Sequence, residues 1–316
     1  MSTAPRAAIA GLPGGPGVYR FRDTRGRVLY IGRAVDLRRR VGSYWTDLRD
    51  RRHLVRMVPQ IVGIEAVACD SAHEAAWLER NLLERSKPRW NRIRGGMEVP
   101  VYIRVETRPT SARLAIVHGP WLEFAPAAGS ATELFGPYLG GKKARLAVSA
   151  LDRVLPLGYT EDRLSGSQRD LARVRGIEVA DRDTLLATVI SVLHRQPAAV
   201  ETVKVHLARQ RDRASASLAF ELAARIQEEI EAVDWVVAEQ KVTVLASADC
   251  DVYGWADGLL VHFEVRGGRL CTWTQRACEP SAAQPYLDRT PERWRAFAAR
   301  SAELARRLAD ACTATS

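Results

Sequence analysis

Two short apolar runs near the start of the chain, separated by a polar turn, form its clearest hydrophobic pattern. The first covers residues 17–19 and the second residues 28–32, and Asp23 and Gly26 lie in the turn between them. Two β-rich runs around a glycine-containing turn predict a β-hairpin. Directly afterwards, Leu37 and Val41 stand four positions apart among arginines, which predicts a helix with one apolar and one cationic face.

Further elements follow before the first marked change in pattern. A second helix is expected over residues 48–59, and the β-branched content of residues 61–69 predicts a strand. Asp70 or Ser71 can cap a third helix, which Pro88 stops. This helix carries one apolar stripe, formed by Ala75, Leu78, Leu82 and Leu83. Two of its acidic residues, Glu74 and Glu84, are expected to be surface charges.

The rest of the chain alternates between strand-like and helical patterns. Strands are predicted over 101–105, 114–117, 242–245, 259–265 and 270–274, and helices over 142–155 and 291–311. Between them, residues 197–240 show two amphipathic helices joined by a short link, which predicts a helical hairpin. The chain is therefore expected to be a mixed α+β protein. Its predicted segments are 1–95, 96–196, 197–240 and 241–316.

Composition narrows the class of protein. With 316 residues, of which 47% are hydrophobic, the chain can form two or three domains with real cores. It has no apolar run long enough to span a membrane and no signal-peptide pattern at its start. Its five cysteines form no C-x-x-C pair, so a disulfide framework or zinc site is not expected. We therefore expect a cytoplasmic protein.

The positive charge is confined to one part of the chain. Residues 1–95 hold 19 Lys and Arg against 9 Asp and Glu, whereas the remaining residues hold 28 of each. The whole net charge of +10 thus lies on the first segment. A concentrated basic surface is typical of a nucleic-acid binder.

The same segment carries residues suited to cutting a phosphodiester. Tyr19 and Tyr30 lie on the two predicted hairpin strands, and arginines follow on the next helix. A phenol can accept a proton from water, and guanidinium groups match phosphate oxygens. The simpler interpretation is a pair of half-buried strand tyrosines beside a solvated cationic face. For the hairpin alone, that interpretation is favoured.

The motifs at these positions change the balance. Gly17-Val18-Tyr19 followed by Tyr30-Ile31-Gly32 resembles the signature of the GIY-YIG nuclease family. The resemblance extends over residues 13–93, where the chain is similar to the GIY-YIG domain of the UvrC excision-repair endonucleases. It implies that the catalytic residues are Tyr19, Tyr30, Arg40, Tyr44 and Asn91. It also implies that Glu79 holds a single divalent metal ion.

Hard oxygen ligation of this kind suits Mg²⁺ or Mn²⁺. A free tyrosine has a pKa of about 10, so its ionisation at pH 7 costs ~4 kcal/mol, which a metal and arginines can lower. The resemblance points to Tyr30 as the base near the attacking water, with Tyr19 beside it, and does not decide which tyrosine serves. Arg40 would stabilise the charge of the transition state.

One position departs from the family pattern. UvrC proteins usually have Gly-Lys-Ala where this chain has Gly32-Arg33-Ala34. The planar guanidinium group of arginine therefore replaces the compact ammonium group of lysine. Arg33 is retained as a candidate catalytic residue. The residues expected to contact the DNA backbone are Arg38, Arg39, Lys87 and Arg89.

The middle of the chain carries a second departure. UvrC proteins commonly have a cysteine cluster suited to an iron–sulfur centre in the region that matches residues 158–180, and no cysteine lies between Cys69 and Cys250 here. We expect no iron–sulfur cluster, so the purified protein should lack the corresponding absorbance band.

The helical hairpin at 197–240 resembles the UVR motif by which UvrC and UvrB pair. The residues that carry this resemblance, and the expected partner contacts, are Phe220, Glu221, Ala223 and Ala224. The alternative is a core hairpin with a purely structural role, which periodicity cannot exclude. The usual Arg-Asp pair of the motif is altered near Gln227 and Glu228.

The resemblance implies a short, Cho-like UvrC homologue. The resulting hypothesis is a metal-dependent DNA endonuclease of nucleotide excision repair, making one nick 3′ to a lesion on damaged double-stranded DNA loaded by UvrB. Two alternatives stay open. One is a stand-alone structure-specific nuclease, and the other is a non-catalytic accessory protein that binds UvrB or DNA.

Overall fold

The computed structural model describes residues 4–46, 48–92, 98–118, 130–245 and 248–313. They form two compact units. One joins the described residues up to 98 with those from 239 onward, and the other covers residues 99–238. These units cut across the four predicted segments, because the end of the chain packs with its beginning. The predicted mixed α/β character is confirmed.

The first part of the first unit contains a three-stranded antiparallel sheet and three helices. Its elements are α1 (Ala4–Gly11), β1 (Gly17–Arg22), β2 (Val28–Ala34), α2 (Leu37–Gly42), β3 (Gly63–Ala68) and α3 (Ala72–Arg85). The strand order is β2-β1-β3. The predicted hairpin, the cationic helix and the third helix are thereby confirmed.

The predicted helix over residues 48–59 is wrong. Two 3₁₀ turns, Arg49–Leu54 and Val58–Gln60, occupy this stretch. Among the side chains of this stretch that the structure describes, Leu54 and Met57 are fully buried. The first turn has no side-chain cap and Pro59 has no main-chain N–H to donate, so neither end of this stretch supports a continuous α-helix.

The end of the chain supplies a second antiparallel sheet and two helices to the same unit. Its elements are β7 (Cys250–Ala256), β8 (Leu259–Arg266), β9 (Arg269–Ala277), α9 (Pro280–Leu287) and α10 (Glu292–Thr313). The strand order is β7-β8-β9. Two of the predicted strands and the terminal helix are confirmed, whereas β7 and α9 were not predicted. The predicted strand at 242–245 is wrong, because Thr243 makes a single bridge to Arg269 there.

A glycine explains why β7 escapes sequence analysis. Gly254 lies within a strand whose single β-branched residue is Val252, and a Cβ atom at Gly254 would lie 2.0 Å from the carbonyl oxygen of Ala298 on α10. The residue is therefore required for helix and strand to approach closely, although glycine is usually unfavourable inside a strand. Tertiary packing outweighs local propensity at this position.

Residues from the end of the chain complete the core beneath the first sheet. Leu304 and Leu308 of α10 pack in the same hydrophobic cluster as Tyr19 and Phe21 of β1. On the strand's other face, Arg20 donates from Nη1 to the carbonyl oxygen of Trp273 on β9 at 2.6 Å. The first sheet is thus supported by the C-terminal residues on both faces.

One acidic residue of α3 lies in a different environment from the one predicted. Glu74 is fully buried, and its carboxylate accepts from the main-chain N–H groups of Asp70 at 2.7 Å and Lys241 at 3.0 Å. The expectation that it is a surface charge is wrong, because it bonds main chain just before its own helix and main chain 167 residues away. Glu84 stays partly exposed and pairs with Arg269 at 2.8 Å.

The second unit holds another three-stranded antiparallel sheet followed by five helices. Its elements are β4 (Val101–Arg108), β5 (Ser111–His118), β6 (Ala131–Tyr138), α4 (Gly141–Val154), α5 (Gly166–Arg175), α6 (Arg182–Leu193), α7 (Pro197–Ala216) and α8 (Phe220–Val237). The strand order is β5-β4-β6. The predicted helix at 142–155 and the helical hairpin formed by α7 and α8 are confirmed, whereas β6, α5 and α6 were not predicted. In the described part of the chain, every helix is too short or too polar to cross a bilayer.

Candidate active site

Three tyrosine rings meet on one face of the first sheet. Tyr19 lies on β1, Tyr30 on β2 and Tyr44 just beyond α2. Their ring centroids form a nearly equilateral triangle, with separations of 6.2 Å between Tyr19 and Tyr30 and 6.0 Å for each of the other two pairs. Three candidate residues that are distant in sequence thus share one cluster.

The strand register places a glycine opposite the first tyrosine. Tyr19 pairs with Gly32, and Phe21 pairs with Tyr30. A Cβ atom at Gly32 would lie 2.6 Å from the Tyr19 hydroxyl and 2.7 Å from Cε1 of Tyr30. Glycine is therefore required because the two rings close over its main chain.

The three phenols differ in their access to solvent. Tyr19 and Tyr44 are buried, with 0% and 1% of their surface exposed, and their hydroxyls are 2.8 Å apart. Tyr30 is only partly buried. Burial raises the pKa of all three phenols, and the positive charge of Arg40 opposes that increase. Tyr30 is consequently the phenol that a water molecule can reach.

Arg40 is positioned by a short, capped helix. Asp36 caps α2 by accepting from the N–H of Arg39 at 2.8 Å, and Leu37 and Val41 anchor the helix in the core. The Arg40 guanidinium carbon lies 6.0 Å from the centroid of the Tyr44 ring. The structure thus places Arg40 beside the tyrosine cluster.

Glu79 enters the site from α3, whose first turn is capped by Ser71. Its charge acts on Tyr30, and the charge of Arg40 acts on Glu79 in turn, so the three groups are electrostatic neighbours. Burial raises the pKa of Glu79, while the adjacent Arg33 opposes the increase. Arg33 donates to Glu79 from its main-chain N–H and pairs with it through Nε, both at 3.2 Å.

Asn91 has both ends of its amide bonded to main chain. Its Oδ1 accepts from the N–H of Ile31 at 3.0 Å, and its Nδ2 donates to the carbonyl oxygen of the same residue at 2.8 Å. The neighbouring Trp90 N–H donates to the carbonyl oxygen of Leu29 at 3.1 Å. Residues 90–91 thus cover the free edge of β2 next to Tyr30.

The donor chemistry of the site fits a hard divalent cation. In the described parts of the chain, no three His, Cys, Asp or Glu side chains are grouped as metal ligands. Mg²⁺ is commonly held through one or two carboxylates and keeps several waters. The carboxylate of Glu79, in electrostatic contact with Tyr30, provides such a ligand.

The four residues expected to contact DNA are exposed. They are Arg38, Arg39, Lys87 and Arg89. Arg38 donates from Nε to the carbonyl oxygen of Leu12 at 2.8 Å, and the guanidinium of Arg89 lies 5.4 Å from the centroid of the Trp90 ring. Each remains accessible to a phosphate.

The turn of the α7–α8 hairpin exposes an apolar tip. Phe220 is 62% exposed, and sequence analysis missed two further exposed residues beside it, Leu218 at 74% and Leu222 at 45%. Leu218 has a φ of 60°, which is rare for a leucine. The other three expected contact residues are Glu221 and Ala224, both exposed, and Ala223, which is half-buried. The apolar side chains in and beside the short link between the two helices were the sequence feature that could have predicted this exposed tip.

Comparison with solved structures finds UvrC nuclease domains. One is the GIY-YIG N-terminal endonuclease domain of UvrC from Thermotoga maritima bound to its catalytic divalent cation, magnesium. It is 31% identical, and the match covers 29% of this chain and 99% of that domain with a TM-score of 0.27. A point mutant of the same domain, Y19F in its own numbering, matches with 30% identity and the same TM-score.

Curated proteins match over most of this chain. UvrABC system protein C of Desulforudis audaxviator is 29% identical over 277 residues, which cover 84% of this chain and 44% of that protein. UvrABC system protein C of Mycolicibacterium paratuberculosis is 30% identical over 282 residues, which cover 84% of this chain and 42% of that protein. The chain therefore spans less than half the length of these relatives.

The family match falls on the segment that holds the tyrosine cluster, Arg40, Glu79 and Asn91. It covers residues 15–92 and is described as the UvrC-like GIY-YIG domain. The prediction of a UvrC-like endonuclease domain in this part of the chain is confirmed. Residues 15–92 are a GIY-YIG domain of the UvrC family.

Proposed function

We propose that the protein is a divalent-metal-dependent DNA endonuclease of nucleotide excision repair. It makes a single nick, 3′ to the lesion, in damaged double-stranded DNA loaded by a UvrB-like protein. The observation that carries the proposal is the convergence of Tyr19, Tyr30, Tyr44, Arg40 and Glu79 within the UvrC-like domain.

Glu79 would hold the cation, which is Mg²⁺ or Mn²⁺. When bound, such a cation acts as a Lewis acid toward the scissile phosphate and lowers the pKa of a coordinated water. Tyr30 is the solvent-accessible phenol of the cluster and is placed to take the proton of the attacking water. Tyr19 and Tyr44 are too buried to reach that water, and their hydroxyl–hydroxyl bond holds the cluster in register.

Arg40 has two roles in this scheme. Its charge favours the ionised forms of the neighbouring phenols, which offsets part of the effect of their burial. The same guanidinium stabilises negative charge that develops on the phosphate during cleavage. Asn91 keeps Tyr30 in place by bonding both main-chain groups of Ile31.

The partner is proposed to bind the exposed tip of the α7–α8 hairpin. Phe220, Leu218 and Leu222 present apolar surface there, and Glu221 adds a charge at the start of α8. A helical surface of this kind fits an apolar groove or a similar hairpin on another protein. The relatives named UvrABC system protein C support a UvrB-like partner.

An incision assay tests this function. A lesion-bearing duplex is incubated with the full chain and Mg²⁺, with and without UvrB, and the nick is mapped on both strands. We expect one nick on the 3′ side of the lesion that requires Mg²⁺ and is stimulated by UvrB. Cleavage without any stimulation would favour a stand-alone nuclease, and binding without cleavage would leave an accessory protein.

A further inference from the structure

Arg33 and Glu79 form an ion pair in the candidate active site. The main-chain N–H of Arg33 donates to Oε1 of Glu79, and its Nε lies 3.2 Å from Oε2. Both carboxylate oxygens of the candidate metal ligand therefore contact one residue. The Arg33 side chain is 53% exposed, so it can leave the carboxylate for solvent without opening the core.

A guanidinium in this position conflicts with a divalent cation. Such a cation approaches a carboxylate oxygen to about 2.0–2.1 Å in the case of Mg²⁺. With Nε already 3.2 Å from Oε2, the cation and the guanidinium would be close like charges. The main-chain N–H carries no net charge and can stay bonded to Oε1. Only the side chain has to move.

The planar guanidinium of arginine makes the competition with the metal ion for Glu79 specific to Arg33. Arg33 reaches the carboxylate through Nε, at the base of the planar guanidinium. Lysine has no donor at that position, and its compact ammonium group would have to bend back to make the same contact. The type of basic side chain at position 33 of β2 therefore determines how tightly Glu79 is held before a metal ion binds.

We propose that Arg33 is a competing counter-ion of Glu79, which weakens the binding of a divalent cation to this carboxylate and leaves it when the cation binds. This inference rests on the proposed metal-dependent function. It assigns to Arg33 a positioning role that is separate from any contact with DNA. It also makes the affinity for the cation a property that Arg33 sets.

Mn²⁺ binding to the full chain measures the effect without any substrate. Free Mn²⁺ is followed by electron paramagnetic resonance for the unmodified protein and for Arg33→Gln, which removes the charge and keeps most of the stem. An exposed ion pair of this kind limits the expected gain in Mn²⁺ affinity to about two- to fivefold. Arg33→Lys should lie between the two, since it keeps the charge and loses Nε.

Arg56→Gln is the matched control, because it removes the same charge from an exposed side chain of the same unit. Its Mn²⁺ affinity should equal that of the unmodified protein. An equal gain in this variant would mean that net charge alone sets the affinity, which would overturn the role assigned to Arg33.

A second pair of variants separates this inference from the proposed function. Glu79→Gln should abolish Mn²⁺ binding, and Arg33→Gln should bring no gain in that background. If Glu79→Gln binds Mn²⁺ normally, the proposed metal site itself fails. If Glu79→Gln loses binding but Arg33→Gln alone does not gain affinity, only the competition between Arg33 and the cation is rejected.

Discussion

The pKa values of the phenols in the tyrosine cluster depend on neighbouring charges as well as on burial. Arg40 lies among three buried or half-buried phenols, and Glu79 acts on the most accessible of them, Tyr30. Both side chains are only partly buried, so we expect their substitution to leave the sheet and its core folded. The two residues can therefore be tested for catalysis separately from folding.

We expect Arg40→Ala and Glu79→Gln each to reduce nicking by about 10²- to 10³-fold, the range seen when a preorganised electrostatic group is removed from an active site. Affinity for duplex DNA should stay nearly unchanged, as measured by fluorescence anisotropy at fixed salt. Arg56→Ala serves as the control for loss of one positive charge. Undiminished nicking by either active-site variant would remove the residue from the mechanism.

Burial of the phenols also makes stability depend on pH. Burial raises the pKa of Tyr19, Tyr30 and Tyr44, so the folded protein holds these protons more tightly than the unfolded chain. Their contribution is fully present below the unfolded pKa of about 10 and is lost as the pH rises from there toward the folded pKa. Urea unfolding between pH 8 and 11 should show a falling free energy of unfolding above about pH 10.

Tyr19→Phe removes one of the three groups from this linkage. We expect the free energy of unfolding of this variant to fall less steeply with pH in the same range. An identical slope for the variant and the unmodified protein would contradict the assignment of the pH dependence to the cluster.

At the scale of elements, the β1–β2 hairpin requires a residue without a side chain at position 32. The rings of Tyr19 and Tyr30 lie over Gly32, where a Cβ atom would come within 2.6 Å of the Tyr19 hydroxyl and 2.7 Å of its Cζ. The hairpin can therefore bring the two tyrosines together only if this position carries no side chain.

Gly32→Ala should destabilise the protein by about 1–3 kcal/mol, the usual cost of overpacking a closely packed region, and should reduce nicking by displacing Tyr30. Denaturant unfolding and the incision assay measure the two effects. Gly15→Ala is the matched control, since a Cβ atom there meets nothing within 4 Å. Equal stability of the two variants would show that the rings can move aside without cost.

The hairpin of α7 and α8 is buried along one face and exposed at its tip. Its buried residues, such as Val203 and Ile226, join the core of the second unit, while Phe220 stays 62% exposed at the tip. The element thus combines a structural face with an exposed end. The structural interpretation of the helical pattern holds for the buried face, and partner binding at the exposed end stays a prediction.

Phe220→Ser should leave the free energy of unfolding within about 0.5 kcal/mol, because the side chain is exposed. We expect it to weaken binding of UvrB by about tenfold, as measured by calorimetry. Val174→Ser, at a position on α5 that is 84% exposed, is the matched control for loss of an apolar surface side chain. Unchanged affinity of the Phe220 variant would leave the hairpin with a structural role only.

At the scale of the whole molecule, the nuclease sheet depends on residues from the other end of the chain. The buried Glu74 accepts from the N–H of Lys241 at 3.0 Å, and Asn81 donates from Nδ2 to Oγ1 of Thr243 at 2.9 Å. A buried polar group that loses its partner costs about 1–3 kcal/mol. The C-terminal residues are therefore part of the folded nuclease unit.

Deletion of residues 239–316 should increase hydrogen exchange at the amides of β1 and β3, because the core loses α10 and the side chains of Arg20 and Glu65 lose their bonds to β9. Mass spectrometry of peptides covering these strands measures the change. Glu74→Gln keeps α10 and disturbs a single buried carboxylate, so it should give a smaller increase. Full protection of the strands after the deletion would show that the sheet is stable without the C-terminal residues.

Local patterns determined most of the elements that carry the site. The hairpin follows from two β-rich runs around a glycine turn, and the helices of 197–240 follow from apolar side chains every three or four positions. Both signals act within one element, so they can be recognised from adjacent residues. The candidate residues Tyr19, Tyr30, Arg40, Glu79 and Asn91 were selected by their resemblance to the ordered motifs of the GIY-YIG family.

Only the tertiary structure decided what these residues contact. Arg33 meets Glu79 across 46 positions, Asn91 holds Ile31 across 60, and Glu74 reaches Lys241 across 167. A sequence pattern has no information about such pairs, because each depends on how separate elements pack and on which polar groups that packing buries. Packing therefore determines that Glu74 is a buried structural carboxylate, whereas Glu79 on the same helix is only partly buried and pairs with the exposed Arg33.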